Sequence, residues 1–185
     1  MTCPTVVVLV ANGTEEMEAV ITIDILRRAQ AKVLVCSLQE EKVIECSRHV
    51  RIVPDTWLAK IDAANIDAVI MPGGMGGAKA FSESKDVHQL LNLANTNGKL
   101  IGVICAAPIA LKAAGILFGK RLTSHPSVKD QLESNYQYSD DRVVVDGNLI
   151  TSRGPGTAID FALALVEKLL GAQVRSKVEA PMCIC

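Results

Sequence analysis

Leu100-Ile101-Gly102-Val103-Ile104-Cys105-Ala106-Ala107-Pro108-Ile109-Ala110-Leu111 is an apolar, β-branched run that ends at a cysteine and passes at once into small, helix-forming residues. A strand that hands over directly to a helix needs a sharp turn, and the free backbone N–H groups of the new helix point back at the residue in that turn. Cys105 occupies it. A thiolate there, or an oxyanion formed beside it, is favoured by those amides, with the mechanics of the nucleophile elbow of α/β hydrolases and Cys in place of Ser. Free cysteine is also a common small core residue, so the run alone leaves a purely structural role open.

Outward from this turn, apolar runs alternate with helical patterns. Strands are read at 5–11, 32–38 and 68–71, and helices from about Glu15 to Gln30 and around Asp86 to Asn95. The strands are continuously hydrophobic instead of alternating, which indicates burial on both faces and therefore a doubly wound, mostly parallel α/β sheet with helices on each side. Two segments read as antiparallel hairpins at the sheet margins: 43–53, interrupted at Ser47-Arg48, and 143–151, where Asp146-Gly147 makes a tight turn. A last helix runs from about Gly156 to Leu170 with Ile159, Ala162, Leu163, Val166 and Leu170 on its buried face. With no linker, repeat or low-complexity stretch, one domain over 1–185 is expected.

Composition narrows the function. The chain has 185 residues, 49% of them hydrophobic but only 3% aromatic, which calls for one core of Val, Ile, Leu and Ala. A net charge of -1 leaves no electrostatic footprint for nucleic acid or a membrane surface, and small neutral substrates fit better. The six cysteines are scattered through an α/β pattern with no secretory signal, so reduced thiols and a cytoplasmic setting are expected, with the nucleus and mitochondrion as further compartments. The apolar run 6–11 stops at Asn12-Gly13, too short for a transmembrane segment. Cys183 and Cys185 have no nearby His, and no metal site is expected; a lipid-accepting tail is the alternative for them.

In open α/β sheets the site lies beyond the carboxyl ends of the strands, where strand order reverses. Three strand ends carry unusual chemistry: Asn12-Gly13-Thr14 running into Glu15-Glu16-Met17-Glu18, then Pro72-Gly73-Gly74, then Cys105. Glu15 and Glu16 suit the first turn of a helix as complements to its dipole. Glu18 precedes the apolar Ala19-Val20-Ile21 and is expected to point inward, where a buried carboxylic acid stays protonated near neutrality, donates to a thiolate and shuttles protons. Glycine lets a backbone amide approach a ligand closely, so the Gly73-Gly74 pair is a candidate binding element, and the Gly74 and Ala106 amides a candidate oxyanion hole. Gly76-Gly77 reads as flexible loop. Of the three histidines, His49 and His88 read as solvated, and His125 in Thr123-Ser124-His125-Pro126-Ser127 as the base or proton relay for Cys105.

These segments, together with Cys46-Ser47-Arg48, Val53-Pro54-Asp55 and Thr151-Ser152-Arg153-Gly154-Pro155-Gly156-Thr157, resemble in this order the DJ-1/ThiJ/PfpI superfamily, and within it the protein-deglycase branch. The resemblance covers nearly the whole chain. It implies a flavodoxin-like fold and a homodimer in which the first helix and the 46–48 hairpin meet the second copy, making Met17, Arg28 and Arg48 interface candidates. It also implies Cys105 as nucleophile, Glu18 as its protonated partner, His125 as a nearby catalytic residue, Gly73 and Gly74 with Ala106 at the bound oxygen, and no cofactor. Peptidase-like relatives place His directly after the nucleophile; here Ala106 follows, against a Cys-His-acid protease. Val53 stands where some relatives have Cys, so no role of that thiol carries over.

The implied activity is a glutathione-independent glyoxalase or protein and nucleotide deglycase, acting on methylglyoxal or glyoxal, free or as early adducts. A redox sensor and chaperone-like stress protein, working through oxidation of Cys105 to sulfinate, is the reading from another class.

Overall fold

The computed structural model describes residues 3–184. In chain order it runs β1 (Thr5–Val10), α1 (Glu16–Arg28), β2 (Lys32–Ser37), β3 (Ile44–Glu45), β4 (Arg51–Ile52), β5 (Thr56–Trp57) and β6 (Ala68–Met71). It continues through α2 (Met75–Glu83), α3 (Lys85–Thr96), β7 (Leu100–Ile104), α4 (Pro108–Ala113), β8 (Arg121–Leu122), α5 (Lys129–Leu132) and β9 (Gln137–Tyr138). The last elements are β10 (Val143–Asp146), β11 (Leu149–Ser152), α6 (Ala158–Leu170) and α7 (Ala172–Glu179).

Seven strands form one sheet in the order β10-β11-β7-β6-β1-β2-β5, parallel throughout except for β10 on β11. Val6 to Val10 and Ala68 to Met71 are wholly buried, as continuous apolar runs covered on both faces require. Helices α1, α6 and α7 pack as one group, α2, α3 and α4 as another, with the sheet between them. Gly102 in β7 makes room for α6: a Cβ there would come within 2.7 Å of Ile70 and 2.8 Å of Leu165. The chain leaves β1 toward β2, then crosses to β6 on the other side of β1. Strand order therefore reverses between β1 and β6, and the carboxyl ends of β1, β6 and β7 meet at that crevice.

Three expectations need correction. The 43–53 segment makes β3 and β4 as a two-stranded ribbon of its own, apart from the main sheet. Within 143–151, β10 is the antiparallel edge strand, whereas β11 sits inside the sheet, parallel to β7. The Gly76-Gly77 pair is the first turn of α2, not a loop. A Cβ on Gly76 would lie 3.0 Å from the Gly13 Cα, and one on Gly77 would lie 2.7 Å from Thr14 Oγ1. Two glycines let this helix start directly on the β1–α1 turn, and that close approach outweighs their poor helix propensity.

Candidate functional site

Cys105 sits in the turn between β7 and α4 with φ of 65°, a left-handed conformation unusual for a residue with a Cβ. Such a backbone costs on the order of 1 kcal/mol and persists only where the surroundings impose it. Here the Cys105 amide donates to the Ser152 carbonyl at 3.0 Å, and its carbonyl accepts from the His125 amide at 2.8 Å. The two bonds tie the turn to the end of β11 and to the segment after β8, so the side chain is thrown toward the crevice. Only 8% of the residue is exposed.

Glu18 reaches the same crevice from the first turn of α1. Its helix is capped by Glu15, whose carboxylate accepts from the Glu18 amide at 2.8 Å, which bears out the ordinary role read for Glu15. Glu18 itself is fully buried; Oε2 accepts from the Gly73 amide at 2.6 Å, and Oε1 has no partner among the described residues. Gly73 has no space for a side chain, because a Cβ would lie 2.5 Å from the Cys105 Cβ and 2.9 Å from Glu18 Oε2. The carboxyl and the thiol are thus pressed to either side of one glycine. Gly74, with φ of 81°, turns the chain into α2.

Burial pushes the Glu18 carboxyl up to about 7, against the pull of the Gly73 amide and of the Cys105 thiol. Burial first, and then the facing Glu18 charge, push the Cys105 thiol up, while the Gly74 and Ala106 amides pull it down. The thiolate that the helix amides favour is opposed here, because Cys105 is nearly enclosed and faces the Glu18 carboxyl. Loss of one proton from the pair leaves one charge and one proton shared between sulfur and carboxyl.

His125 is placed differently from the expectation. Its backbone touches Cys105, but its exposed side chain turns away to cap the short turn Pro126–Val128. Nδ1 lies 2.8 Å from Ser127 Oγ and accepts from the Ser127 amide at 3.2 Å. No hydrogen bond joins the imidazole to the thiol among the described residues.

Glu16 has more to do than complement a dipole. It is buried, takes a hydrogen bond from Ser47 Oγ at 2.8 Å and another from the Arg48 amide at 2.7 Å, and so pins the ribbon to α1. Burial raises its pKa, and the hydrogen bonds outweigh that and hold it low. The sequence contained no local signal for this partnership. Around it lies an exposed apolar patch: Met17, Val20, Val50 and Val53 are between 47% and 70% exposed. Arg28 pairs with Asp24, and Arg48 reaches the Ser47 carbonyl from the surface. Cys185 lies outside the described residues, and Cys183 is exposed. A concavity of about 880 Å³ between β10 and α6, lined by Arg142, Val145, Asp160 and Glu167, is remote from this chemistry. No helix among the described residues is long and apolar enough to cross a membrane.

Residues 4–168 match the DJ-1/PfpI family. The protein dj-1beta of Drosophila melanogaster is 52% identical over 167 residues, covering 90% of this chain and 89% of that protein. The crystal structure of Drosophila melanogaster DJ-1beta superposes with a TM-score of 0.96 at 47% identity, covering all of both chains. A Caenorhabditis elegans protein named glutathione-independent glyoxalase DJR-1.2 is 40% identical over 179 residues, covering 96% of this chain and 95% of that protein. With its flavodoxin-like sheet and its cysteine at the β7–α4 turn, the chain belongs to the DJ-1/PfpI family.

Proposed function

We propose that this protein is a cofactor-free glyoxalase and deglycase, converting methylglyoxal or glyoxal, free or as early protein and nucleotide adducts, to 2-hydroxy acids. The observation that carries the reading is the Cys105–Gly73–Glu18 stack: a buried carboxyl held by the Gly73 amide and a thiol press on either side of one glycine. The relative named as a glutathione-independent glyoxalase supports it.

In this scheme the Cys105 sulfur bonds to the aldehyde carbon, and the thiol proton ends on the former carbonyl oxygen, which the Gly74 and Ala106 amides hold. Ionised Glu18 then takes the proton from that carbon, giving an enediolate, and returns it to the neighbouring carbon while the hydroxyl proton passes from the first oxygen to the second. The product is a thioester of a 2-hydroxy acid. Water cleaves its C–S bond, releasing the acid and restoring the thiol. Formally the enzyme is a hydrolase or a lyase, depending on whether an adduct or the free aldehyde is consumed.

Lactate formation from methylglyoxal without glutathione tests this directly. Multiple-turnover lactate from the native protein and none from Cys105→Ser is the expected result; equal rates from both overturn the reading. A second reading, a redox sensor and chaperone-like stress protein, draws on the unpartnered Glu18 Oε1, which is free to hydrogen-bond a Cys105 sulfinate. Peroxide-driven oxygen addition confined to Cys105, without lactate, would favour it. For either reading we place the protein as a homodimer through α1 and the ribbon, in the cytoplasm, with the nucleus or mitochondrion as additional compartments.

A further inference from the structure

We propose that Thr157 is a positioning residue for Cys105: its buried hydroxyl fixes Ser152, whose carbonyl holds the Cys105 amide and so keeps the sulfur facing Glu18. The kinetic consequence rests on the catalytic reading above; the hold on the Cys105 amide does not.

The ladder between β7 and β11 runs one bond past the end of β7. Ser152 pairs with Ile104, and the next bond, from the Cys105 amide to the Ser152 carbonyl at 3.0 Å, falls where the chain has already entered its left-handed turn. A residue with a Cβ leaves that conformation unless its neighbours impose it. The Ser152 carbonyl holds the turn from one side and the His125 amide from the other, so whatever fixes Ser152 also fixes the sulfur. Ser152 is the last residue of β11, and the chain bends immediately after it into the short turn Pro155–Thr157.

That bend is folded around one oxygen. Thr157 Oγ1 lies 3.2 Å from the Arg153 amide, 3.1 Å from the Gly154 amide and 2.6 Å from Ser152 Oγ. The two amides can only donate, and they take both lone pairs of the hydroxyl. Its own proton needs an acceptor. The Gly154 carbonyl, 2.9 Å away, already receives the Thr157 amide, whereas Ser152 Oγ has no other donor among the described residues. The proton therefore goes to Ser152 Oγ, which gives its own to the Arg142 carbonyl at 2.6 Å, just before β10. Both hydroxyls are buried, so water does not replace a lost partner cheaply. Without the Thr157 hydroxyl, two amides of the bend and Ser152 Oγ lose their partner together. The bend must then open to satisfy them, and the Ser152 carbonyl moves with it.

The test uses the full-length protein and Thr157→Val, which keeps the branched shape and removes the hydroxyl. Lactate formation from methylglyoxal should lose about 10- to 100-fold in kcat with KM near native, the cost of a misplaced nucleophile. Hydrogen exchange at the Cys105 amide, followed by nitrogen–proton correlation spectra, should quicken by about tenfold or more while the β1 amides stay protected. Thr157→Ser restores the hydroxyl and should recover both readouts. Val166→Ala, in the buried face of α6, lowers stability elsewhere and should change neither. Native kcat or native Cys105 exchange in Thr157→Val, a loss that Thr157→Ser does not recover, or an equal loss in Val166→Ala overturns the proposal. Should Thr157→Val not fold, Ser152→Ala, which cuts the same chain of hydroxyls one atom further on, is read by the same criteria. Failure of the catalytic reading is seen separately, as turnover that survives Cys105→Ser while Cys105 exchange still responds to Thr157.

Discussion

Glu18 Oε2 and the Gly73 amide, 2.6 Å apart, join α1 to the end of β6 and set a buried carboxyl beside Cys105. The pairing of the thiol with a buried acid passes through this bond. It leaves one carboxyl oxygen without a partner, it aligns the carboxyl with the sulfur, and it requires a residue without a side chain at position 73.

Gly73→Ala should therefore injure the site before it injures the fold. The added methyl would lie 2.5 Å from the Cys105 Cβ and 3.0 Å from the Ala106 amide nitrogen, neither of which is the free end of a long chain. An overpacking penalty of about 1–3 kcal/mol is expected. Thermal unfolding should show a lowered Tm, and lactate production should fall much further than that loss of stability explains. Native turnover with a native Tm would mean that the turn is not held as described.

Glu18 makes the stability of the protein depend on pH in a particular direction. Its carboxyl titrates at about 7 in the folded chain, against 4.5 as its ordinary value. The folded state therefore keeps a proton that the unfolded chain has already lost, and stability is lost as pH rises from about 4.5 to about 7. The full span is worth about 3 kcal/mol. Glu18→Gln has no proton to lose, so its stability relative to the native protein should rise between about pH 5 and about pH 8. Denaturant midpoints measured across this range check the sign; a constant difference would show that Glu18 ionises normally. The same proton governs catalysis. Activity should rise with pH through about 7 as the pair loses its first proton, and Glu18→Gln, which has no base to offer, should lose lactate production at every pH.

Glu16 supports a different experiment. Its carboxylate receives Ser47 Oγ and the Arg48 amide, beside backbone bonds from Gly13 to Glu45 and from Ser47 to Thr14. Glu16→Ala should leave the central sheet intact but expose the amides of 44–52 to solvent. Removing a buried acceptor of two hydrogen bonds costs about 1–3 kcal/mol. Hydrogen exchange should quicken in that segment while the β1 and β7 amides stay protected. Uniform acceleration would instead indicate global destabilisation.

Much of this architecture is written locally, and what is not has a common cause. The uninterrupted apolar runs of β1, β6 and β7 announce a parallel sheet, and the abrupt change at Cys105 announces a turn, because burial and backbone geometry act on neighbouring residues. The start of α2 is illegible for the opposite reason: Gly76 and Gly77 are dictated by Gly13 and Thr14, which belong to a different strand–helix turn. Glu16 likewise finds its partners 31 and 32 residues away. The desolvation of Cys105 depends on how closely Gly73 and Glu18 approach it, a distance that no spacing in the chain encodes. His125 is an instructive middle case. Its cap on Ser127 is a local pattern, a histidine, a proline and a serine in sequence, and it redirects the side chain away from the thiol.

The homodimer proposed for this chain can be tested at the surface of α1. Met17 and Val20 are about half exposed, and Val53 and Val50 belong to the ribbon that Glu16 fastens to the same helix. Scattered exposed apolar residues are ordinary, but four on one helix and its attached ribbon make a patch that a second copy would cover. Met17→Arg places a charge in that patch without touching the Cys105–Glu18 pair. Sedimentation should give twice the chain mass of 19.7 kDa for the native protein and the single-chain mass for the variant. The two proteins should have the same far-ultraviolet spectrum, which separates loss of association from loss of fold. A native protein that sediments as a monomer at micromolar concentration would remove the dimer and return Met17, Arg28 and Arg48 to the ordinary surface.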